Sequence, residues 1–385
     1  MNLAFLCSEY PPSRGGGIGT FTQALGRALA RAGHRVDVVG LYDVDEDLCE
    51  EDQGVRVWRL RRAEMPLTRF LRNGWKATRK LHKLQGEGLE LVEGQENAFA
   101  AIGPVPGVAK VVRMNGGHHF FAVTLGKKPK LWRAWQEKRS FEQADAICAV
   151  SRYVAEVTRE LLGLGDMEIP ILPNPVDVSV FRPIPDIPEE PGLIVFAGTV
   201  CRKKGLEPLI RSMETVLREV PEARLVVAGR DQAEPGVGSF REYLLGLMPP
   251  AVRRAVSFLG PVAHHELPEL YARAQVCVFP SFMESQGIVF VEAMAMGKAL
   301  VAPGIPPVLE MLEDEVQALV CDPHDPETIA AGLIRCLRDA ELRRRLGTQG
   351  RQRAVERFST EVLLEKNLAF YRQVLEQKAG RHAAA

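Results

Sequence analysis

Two glutamates, Glu284 and Glu292, flank a point where a short apolar strand gives way to a helix. The strand VCVF ends at a proline, and the apolar pattern beyond it predicts a helix over 288–297. Backbone amides in the first turn of a helix have no intrahelical partner and face the positive end of the helix dipole, so they attract phosphate or hydroxyl oxygens. In this chain those amides belong to Gly287, Ile288 and Val289.

The two carboxylates themselves repel phosphate, and their natural partners are hydroxyl donors such as those of ribose and hexose. Carboxylates beside a phosphate-attracting helix start therefore predict a sugar-nucleotide site. The alternative is a pair of solvated glutamates beside the start of a helix, which is common in α/β proteins.

A second candidate is the basic turn GTVCRKKG, which separates a predicted strand from a predicted helix. Gly198 and Gly205 allow a tight loop, and between them Arg202, Lys203 and Lys204 concentrate positive charge. Fixed cations at such a turn can neutralise a diphosphate leaving group as its bond to a sugar breaks. The turn lacks the pattern of a Walker loop, and a solvated basic turn is the alternative.

A glycine-rich segment, PPSRGGGIGT, follows the first predicted strand. Its glycines let the backbone approach a ligand closely, but their spacing does not fit the dinucleotide-binding fingerprint, which disfavours a dehydrogenase. A flexible loop that caps a helix over 21–32 explains the segment equally well. The glycines are Gly15, Gly16, Gly17 and Gly19.

Polar residues also follow the predicted strand 109–114, in the sequence NGGHH. Asn115, His118 and His119 would lie at the carboxyl edge of a parallel sheet, where an imidazole can contact a sugar hydroxyl or a phosphate. Histidines beside aromatic residues also serve structural roles, and both interpretations remain open.

Short β-type runs alternate with helical segments along the chain, a pattern typical of α/β folds with parallel sheets. The predicted strands are 3–7, 35–40, 55–59, 89–93, 109–114 and 146–150, followed by 193–196, 224–227, 256–259, 276–279, 299–302 and 318–320. A proline-rich stretch separates the two series. We therefore expect Rossmann-like domains over 1–175 and 193–359, a linker over 176–192, and a C-terminal helix within 360–385. Two such domains would bind ligands in a cleft at the carboxyl ends of both sheets.

Composition excludes several classes of protein. The chain has 385 residues, with 49 basic and 49 acidic side chains, so its overall charge does not favour nucleic acid as a partner. Its seven cysteines are widely spaced, which predicts reduced thiols rather than disulfides or a zinc site. The N-terminal segment lacks the pattern of a signal peptide, and no apolar run is long enough to span a membrane. These features predict a cytoplasmic protein.

Taken together, these segments resemble the GT-B-fold retaining glycosyltransferases of family 4 (group 1). The resemblance extends over nearly the whole chain. It comprises the glycine-rich loop, ADAICAVS, NPVD, FAGTVCRKKG, LVVAGRD, FLGPVAHHELPELYARAQVCVFPS, ESQGIVFVEAMAMG and VLEMLED. It implies two Rossmann-like domains facing across a central cleft, with the C-terminal helix returning to the N-terminal domain.

The resemblance also implies residue roles. Lys204 and Arg202 would hold the donor diphosphate and Glu284 the donor sugar, and these three are the predicted catalytic residues. The implied donor-binding residues are Gly16, Gly17, Thr199, Val262, Gly287, Ile288, Val289 and Glu292, the last through the ribose hydroxyls. On the acceptor side are Asn115, His118 and His119. The family needs neither a divalent metal nor a cofactor beyond the nucleotide sugar, and it retains anomeric configuration by front-face attack.

The chain departs from the family pattern at several of these positions. Thr199 stands where an arginine is common, and Asn115 where many members have histidine. Ser285 and Gln286 replace a common Gly-Phe pair, a change that can alter sugar selectivity, and Pro175 replaces a usual glycine.

Two basic segments with interleaved aromatic residues suggest where the protein binds its acceptor. Residues 56–83 contain ten basic side chains and one acidic one, together with Trp58, Phe70 and Trp75, and residues 127–139 add Trp132 and Trp135. Basic helices with tryptophans can lie on anionic membranes, which suggests a lipid-linked acceptor, although a glycan acceptor is also open. The alternative is a solvated basic face offset by an acidic loop over 43–52.

Three functional hypotheses follow. The first is a transferase that moves a sugar from a nucleotide diphosphate donor to an acceptor hydroxyl. The second is an epimerase or phosphorylase on the same architecture, and the third is a catalytically silent binding protein, for which Thr199 and Asn115 leave room. The basic turn together with the Glu284 and Glu292 segment favours the transferase.

Overall fold

The chain forms two compact units, each with its own parallel sheet. The computed structural model describes residues 1–13 and 16–384, with side chains described as far as Arg381, so Gly15 of the glycine-rich segment lies outside the described residues. Unit 1 consists of Met1–Pro175 and Thr360–Ala385, and unit 2 is Val176–Ser359. The proline-rich stretch 176–192 therefore belongs to unit 2.

Unit 1 is built on a seven-stranded sheet in the order β3-β4-β2-β1-β5-β6-β7. Its strands are β1 (Asn2–Leu6), β2 (Arg35–Tyr42), β3 (Leu48–Asp52), β4 (Val55–Arg61), β5 (Leu91–Gln95), β6 (Ala109–Met114) and β7 (Ala146–Ala149). All pairings are parallel except that of β3 with β4. The six predicted parallel strands are thus confirmed, with ends that differ by at most two residues.

The predicted acidic loop over 43–52 is wrong in its second half, because Leu48–Asp52 forms the antiparallel edge strand β3. Glu51 lies opposite Arg56 in the ladder, and Glu50 accepts a hydrogen bond of 2.8 Å from Arg59. Cross-strand pairs of opposite charge stabilise an edge strand that is otherwise mostly exposed. The acidic segment also forms ion pairs between Asp43 and Arg62 and between Asp47 and Lys76, so it neutralises part of the predicted basic segment.

Helices cover the sheet of unit 1, and the last helix of the chain is among them. They are α1 (Gly17–Arg31), α2 (Arg69–Gly86), α3 (His118–Thr124), α4 (Leu131–Glu142), α5 (Arg152–Leu162) and α14 (Thr360–Ala384). Polar groups in the core anchor α14: Tyr371 donates a 2.8 Å hydrogen bond to Glu93, which is also paired with the buried Arg113. A buried ion pair needs such additional hydrogen bonds to offset desolvation, and this network ties α14 to β5 and β6.

Unit 2 has a six-stranded parallel sheet in the order β12-β9-β8-β13-β14-β15, plus a small antiparallel hairpin, β10-β11. The strands are β8 (Leu193–Ala197), β9 (Arg224–Ala228), β10 (Ala233–Glu234), β11 (Gly238–Ser239), β12 (Val256–Gly260), β13 (Val276–Val278), β14 (Ala299–Pro303) and β15 (Leu319–Cys321). All six predicted strands of this half are confirmed to within one residue, and the short hairpin was not predicted. Parallel pairing places the turns that follow these strands at one edge of the sheet.

The helices of unit 2 complete the layers around this sheet. They are α6 (Leu206–Glu219), α7 (Phe240–Leu247), α8 (Pro250–Ala255), α9 (Leu267–Arg273), α10 (Ile288–Ala295), α11 (Pro306–Leu309), α12 (Pro326–Arg338) and α13 (Ala340–Phe358). From Phe290 onward, every residue of α10 is buried. None of the helices described in either unit is both long and apolar enough to cross a membrane.

Candidate active site

The basic turn after β8 is pressed against the loop that follows β13. Gly205 has φ +70°, and a Cβ at this position would lie 1.7 Å from the carbonyl oxygen of Pro280, so only glycine fits. Nearby, the amide of Phe282 donates a 2.9 Å hydrogen bond to the carbonyl of Lys203. The close approach fixes the lysines of the turn beside the segment that carries Glu284.

Lys204 and Glu284 form an ion pair at this junction. The Lys204 Nζ lies 2.6 Å from Glu284 Oε1, and the hydroxyl of Ser281 donates to the same oxygen at 2.8 Å. Glu284 is buried, whereas 18% of the Lys204 side chain is exposed. The structure therefore brings together two of the three predicted catalytic residues and holds the carboxylate in a fixed orientation.

Helix α10 begins directly beside Glu284. Its N-cap, Gly287, has φ +88°, and a Cβ there would lie 2.6 Å from the Phe290 ring and 3.4 Å from the Glu284 carboxyl carbon. Gly287, Ile288 and Val289 are partly exposed, in contrast to the rest of the helix. The partly exposed start of α10 thus lies next to the Lys204–Glu284 pair.

Arg202, the third predicted catalytic residue, has a different set of partners. Its backbone amide and its Nε both bond to Glu234 on the β10-β11 hairpin, at 2.7 and 3.3 Å, and its guanidinium also pairs with Glu207 at 3.1 Å. The guanidinium lies over the rings of Phe240 and Tyr243. In this structure Arg202 is therefore directed to the hairpin and α7 rather than to Glu284.

Glu292 is buried one turn into α10, where its carboxylate has two side-chain partners. The His264 Nε2 lies 2.7 Å from its Oε1, and the Tyr271 hydroxyl donates to its Oε2 at 3.4 Å. Burial opposes the charged form of His264, but the hydrogen bond and the charge of Glu292 outweigh it and raise the pKa of His264. Sequence reasoning missed both partners, because nothing in HHELPELY distinguishes them from ordinary helix-forming residues.

The remaining donor-side residues lie at the same edge of the unit 2 sheet. Thr199 follows β8 and Val262 follows β12, and both are partly exposed. Between these strands, a Cβ on Gly229 would lie 1.7 Å from the Gly198 oxygen, and the Gly229 amide donates to Gly260 at 2.8 Å. Glycine at this position therefore allows the turns after β8, β9 and β12 to pack closely together.

In unit 1, residues 16–20 of the glycine-rich segment form the N-cap and the first turn of α1. Gly16 is its N-cap, and its amide donates a 3.1 Å hydrogen bond to the carboxylate of Glu9, while Gly17 is the first helical residue. A Cβ on Gly19 would lie 1.9 Å from the Glu9 carbonyl oxygen. Gly16 and Gly17 are exposed, whereas Gly19 is needed for packing.

The NGGHH turn after β6 is wrapped around two buried carboxylates, Glu96 and Glu137. The amide of Asn115 donates to Glu96, and both histidine amides and the His119 Nδ1 contact Glu137, with 3.0 Å between the His119 amide and Glu137. Burial raises the pKa of Glu96 to about 8, with the charge of Glu137 adding to the effect. The two glutamates were not predicted, since single glutamates within helical or turn segments carry no recognisable signal.

His118 has a further partner at the start of α4. Its Nε2 accepts a 2.7 Å hydrogen bond from the amide of Lys130, the N-cap of this helix. Burial lowers the pKa of His118, which favours the neutral imidazole that can accept this bond. The predicted acceptor-side residues are therefore brought together in one turn, with α4 contacting its histidines and Glu96 contacting Asn115.

Two units, each built on a mainly parallel sheet with charged and polar residues after its strands, form the architecture of the GT-B class of glycosyltransferases. Sucrose-phosphate synthase from Thermosynechococcus elongatus superposes with a TM-score of 0.83 at 22% identity, over 98% of this chain and all of its own. HepE from Anabaena, in complex with UDP and glucose, gives 0.76 at 15% identity, over 97% of this chain and all of its own. The predicted GT-B fold is thereby confirmed.

Two family models match the chain in succession, Glycosyltransferase Family 4 over residues 15–180 and Glycosyl transferases group 1 over residues 177–353. The chain belongs to the group 1 glycosyltransferases of family 4. An uncharacterized glycosyltransferase of Methanocaldococcus jannaschii is 27% identical over 399 residues, which cover 98% of this chain and 99% of that protein. The prediction of a hexosyltransferase is confirmed at the level of this family.

Proposed function

We propose that the protein is a retaining hexosyltransferase that moves a hexose-type sugar from a UDP or GDP sugar to an acceptor hydroxyl. The observation that carries this proposal is the Lys204–Glu284 pair, 2.6 Å apart, beside the partly exposed start of α10. The cation and the helix start suit the negatively charged diphosphate, which leaves in the reaction, and the carboxylate suits the hydroxyls of the sugar that is transferred.

In the proposed reaction, the bond between the sugar C1 and the diphosphate oxygen breaks while the acceptor oxygen bonds to C1 on the same face. The acceptor proton passes to an oxygen of the leaving diphosphate. Lys204 and the amides of Ile288 and Val289 stabilise the negative charge that develops there, so no metal ion is needed for this purpose. Arg202 contributes to this stabilisation only if its side chain leaves Glu234 and binds the phosphate instead.

Donor specificity is assigned to the carboxylates and to the turns at the same sheet edge. Glu284 accepts hydrogen bonds from sugar hydroxyls, and Glu292 accepts them from the ribose. Thr199 and Val262 border the phosphate and base. Support comes from their shared position at the carboxyl edge of a parallel sheet, and from the similarly folded HepE, whose structure is a complex with UDP and glucose.

Titration calorimetry with UDP, GDP and ADP is the first test. We expect one of the three to bind, with unchanged affinity in EDTA, because side chains and amides supply the positive charge. The matching nucleoside monophosphate should bind more weakly, since it lacks the phosphate that Lys204 is proposed to contact. Binding of none of the three would refute the transferase proposal, and binding without turnover of any donor would favour a catalytically silent protein.

We also propose that the acceptor is lipid-linked and that the protein binds it at the cytoplasmic face of a membrane. The supporting feature is the α2–α4 surface, which we define as residues 65–83 and 123–139 of unit 1. Phe70 of α2 packs against Trp132 and Trp135 of α4, with ring centroids 5.0 and 6.0 Å apart, so the two predicted segments form one surface. Trp58 is not part of it, because its ring lies beneath Lys80 and its indole bonds to Asp37.

Exposed apolar side chains are concentrated on this surface. Among the described residues, nine of the sixteen exposed large hydrophobic side chains belong to it, including Leu67, Leu131 and Trp75, which are 98%, 88% and 61% exposed. The surface also carries twelve lysines and arginines and one acidic residue, Glu137, which is buried. Apolar side chains surrounded by cations, in a chain with no net charge, suit an anionic lipid surface.

The protein should therefore sediment with anionic vesicles at low salt, and less so at high salt because exposed charges are screened. The double variant Leu131→Asp/Trp132→Ala should abolish sedimentation, since it replaces two of the most exposed apolar groups. Met167→Asp, at another exposed apolar position of unit 1, serves as the matched control and should bind as the wild type does. Failure of the wild type to sediment would remove the membrane proposal and leave a soluble glycan as acceptor.

A further inference from the structure

The carboxylate proposed to bind ribose is closed off in this structure. Glu292 is 2% exposed, and each of its oxygens faces a side-chain partner, His264 at 2.7 Å and Tyr271 at 3.4 Å. A ribose hydroxyl must come within hydrogen-bond distance of one of these oxygens. With so little exposed surface, one of the two partners has to move first.

The two partners differ in how freely they can move. Tyr271 is fully buried in α9, with Phe181 and Phe279 packed against its ring. His264 lies on the short 3-10 turn His264–Glu266 that follows β12, and 43% of its side chain is exposed. Its ring packs against Phe181 at a centroid distance of 5.0 Å. His264 can therefore rotate into solvent by giving up its hydrogen bond to Glu292 and its contact with Phe181, whereas Tyr271 could move only if the packing around it changed.

We infer, on the basis of the ribose-binding role proposed for Glu292, that His264 is a gate that covers this carboxylate and must leave it before the nucleotide binds. Its imidazole occupies the Oε1 side of Glu292, which the ribose hydroxyls would otherwise contact. His264 competes with the nucleotide for one hydrogen-bond acceptor, the carboxylate of Glu292. The affinity for the nucleotide therefore depends on how strongly the imidazole is bonded to that carboxylate.

The strength of the bond between His264 and Glu292 depends on protonation, because an imidazolium bonds to a carboxylate more tightly than a neutral ring does. The titratable group that faces His264 is Glu292 on α10, whose other oxygen bonds to Tyr271 of α9, and the turn of His264 adds His265 and Glu266. The contact with Glu292 outweighs the partial desolvation of the ring and raises the pKa of His264. Opening the gate removes that contact and lowers the pKa again, so nucleotide binding should release a proton. By linkage, affinity should then rise with pH through the range in which His264 titrates.

The test is titration calorimetry with the nucleoside diphosphate that the wild type binds, at about pH 6 and about pH 8.5, in buffers of different ionisation enthalpy. We expect His264→Ala to bind roughly three- to ten-fold more tightly than the wild type at the lower pH, and by a smaller factor at the higher pH, where the neutral ring competes less strongly for Glu292. The wild type should also release more protons than the variant. Ionisation of the nucleotide itself contributes equally to both proteins.

Two further variants decide between a gate and other roles. His264→Gln retains a hydrogen-bond donor that does not titrate, so its affinity should lose the pH dependence while staying below that of His264→Ala. His265→Ala, in the same turn but outside the pairing with Glu292, should behave as the wild type does. Weaker binding by His264→Ala at the lower pH would overturn the gate, because it would make His264 a nucleotide ligand. Absence of nucleotide binding by the wild type would instead refute the proposed function itself.

Discussion

Replacing Lys204 by alanine is expected to lower kcat/KM for the donor by ~100-fold or more, the loss found when one fixed group that stabilises developing charge is removed. The effect should fall mainly on kcat, because negative charge on the diphosphate is largest as the bond to the sugar breaks. Steady-state kinetics with the donor identified by calorimetry, including its slow hydrolysis without acceptor, would measure it. Lys204→Met should give the same result, since it keeps the aliphatic stem and loses the charge.

The structure supplies a matched control and a check on indirect effects. Lys203→Ala removes an equal charge from the same turn, one residue from the Glu284 contact, and should cost much less than Lys204→Ala. Without Lys204, Glu284 keeps its hydrogen bond from Ser281 but loses its cation. If the double variant Lys204→Ala/Glu284→Gln regained activity, an uncompensated Glu284 rather than the missing cation would explain the loss. Equal losses for Lys203→Ala and Lys204→Ala would contradict a specific role for Lys204.

Much of the architecture could be predicted because it depends on local patterns. Parallel strands buried on both faces appear in the sequence as continuous apolar runs, and all twelve predicted strands occur in the structure. Close approaches that exclude a side chain appear as glycines, as Gly205 and Gly287 show. Edge strand β3 was missed because its charged, mostly exposed sequence LCEED is typical of a loop, and only its antiparallel ladder with β4 makes it a strand.

Contacts between distant segments were the part that the sequence could not supply. Lys204 and Glu284 were both predicted as site residues, but their direct pairing across 80 residues of sequence was not predicted. Arg202 shows the same limit, since Lys204 in the same turn contacts Glu284 while the side chain of Arg202 turns to Glu234. Glu137 shows it again: a glutamate within a basic helix is inconspicuous until the fold buries it beneath the NGGHH turn.

Replacing Glu292 by alanine should reduce kcat/KM for the donor by ~100-fold or more, since two hydrogen bonds from ribose hydroxyls to a charged acceptor are lost, each worth roughly 1.5 kcal/mol or more. In contrast to Lys204→Ala, the loss should appear chiefly as weaker binding, because the ribose carries no charge that changes during the reaction. Glu292→Gln keeps one acceptor oxygen and should lose less.

The 2′-deoxy form of the preferred nucleoside diphosphate tests this assignment directly. The wild type should bind it more weakly than the ribonucleotide, whereas Glu292→Ala should no longer distinguish the two, because the group that recognises the hydroxyl is absent. Equal discrimination by both proteins would show that another residue contacts the ribose 2′-hydroxyl. In that case the carboxylate that His264 covers would not bind the ribose, and the proposed gate would also be refuted. The gate and the ribose assignment therefore depend on the same hydrogen-bond acceptor, Glu292.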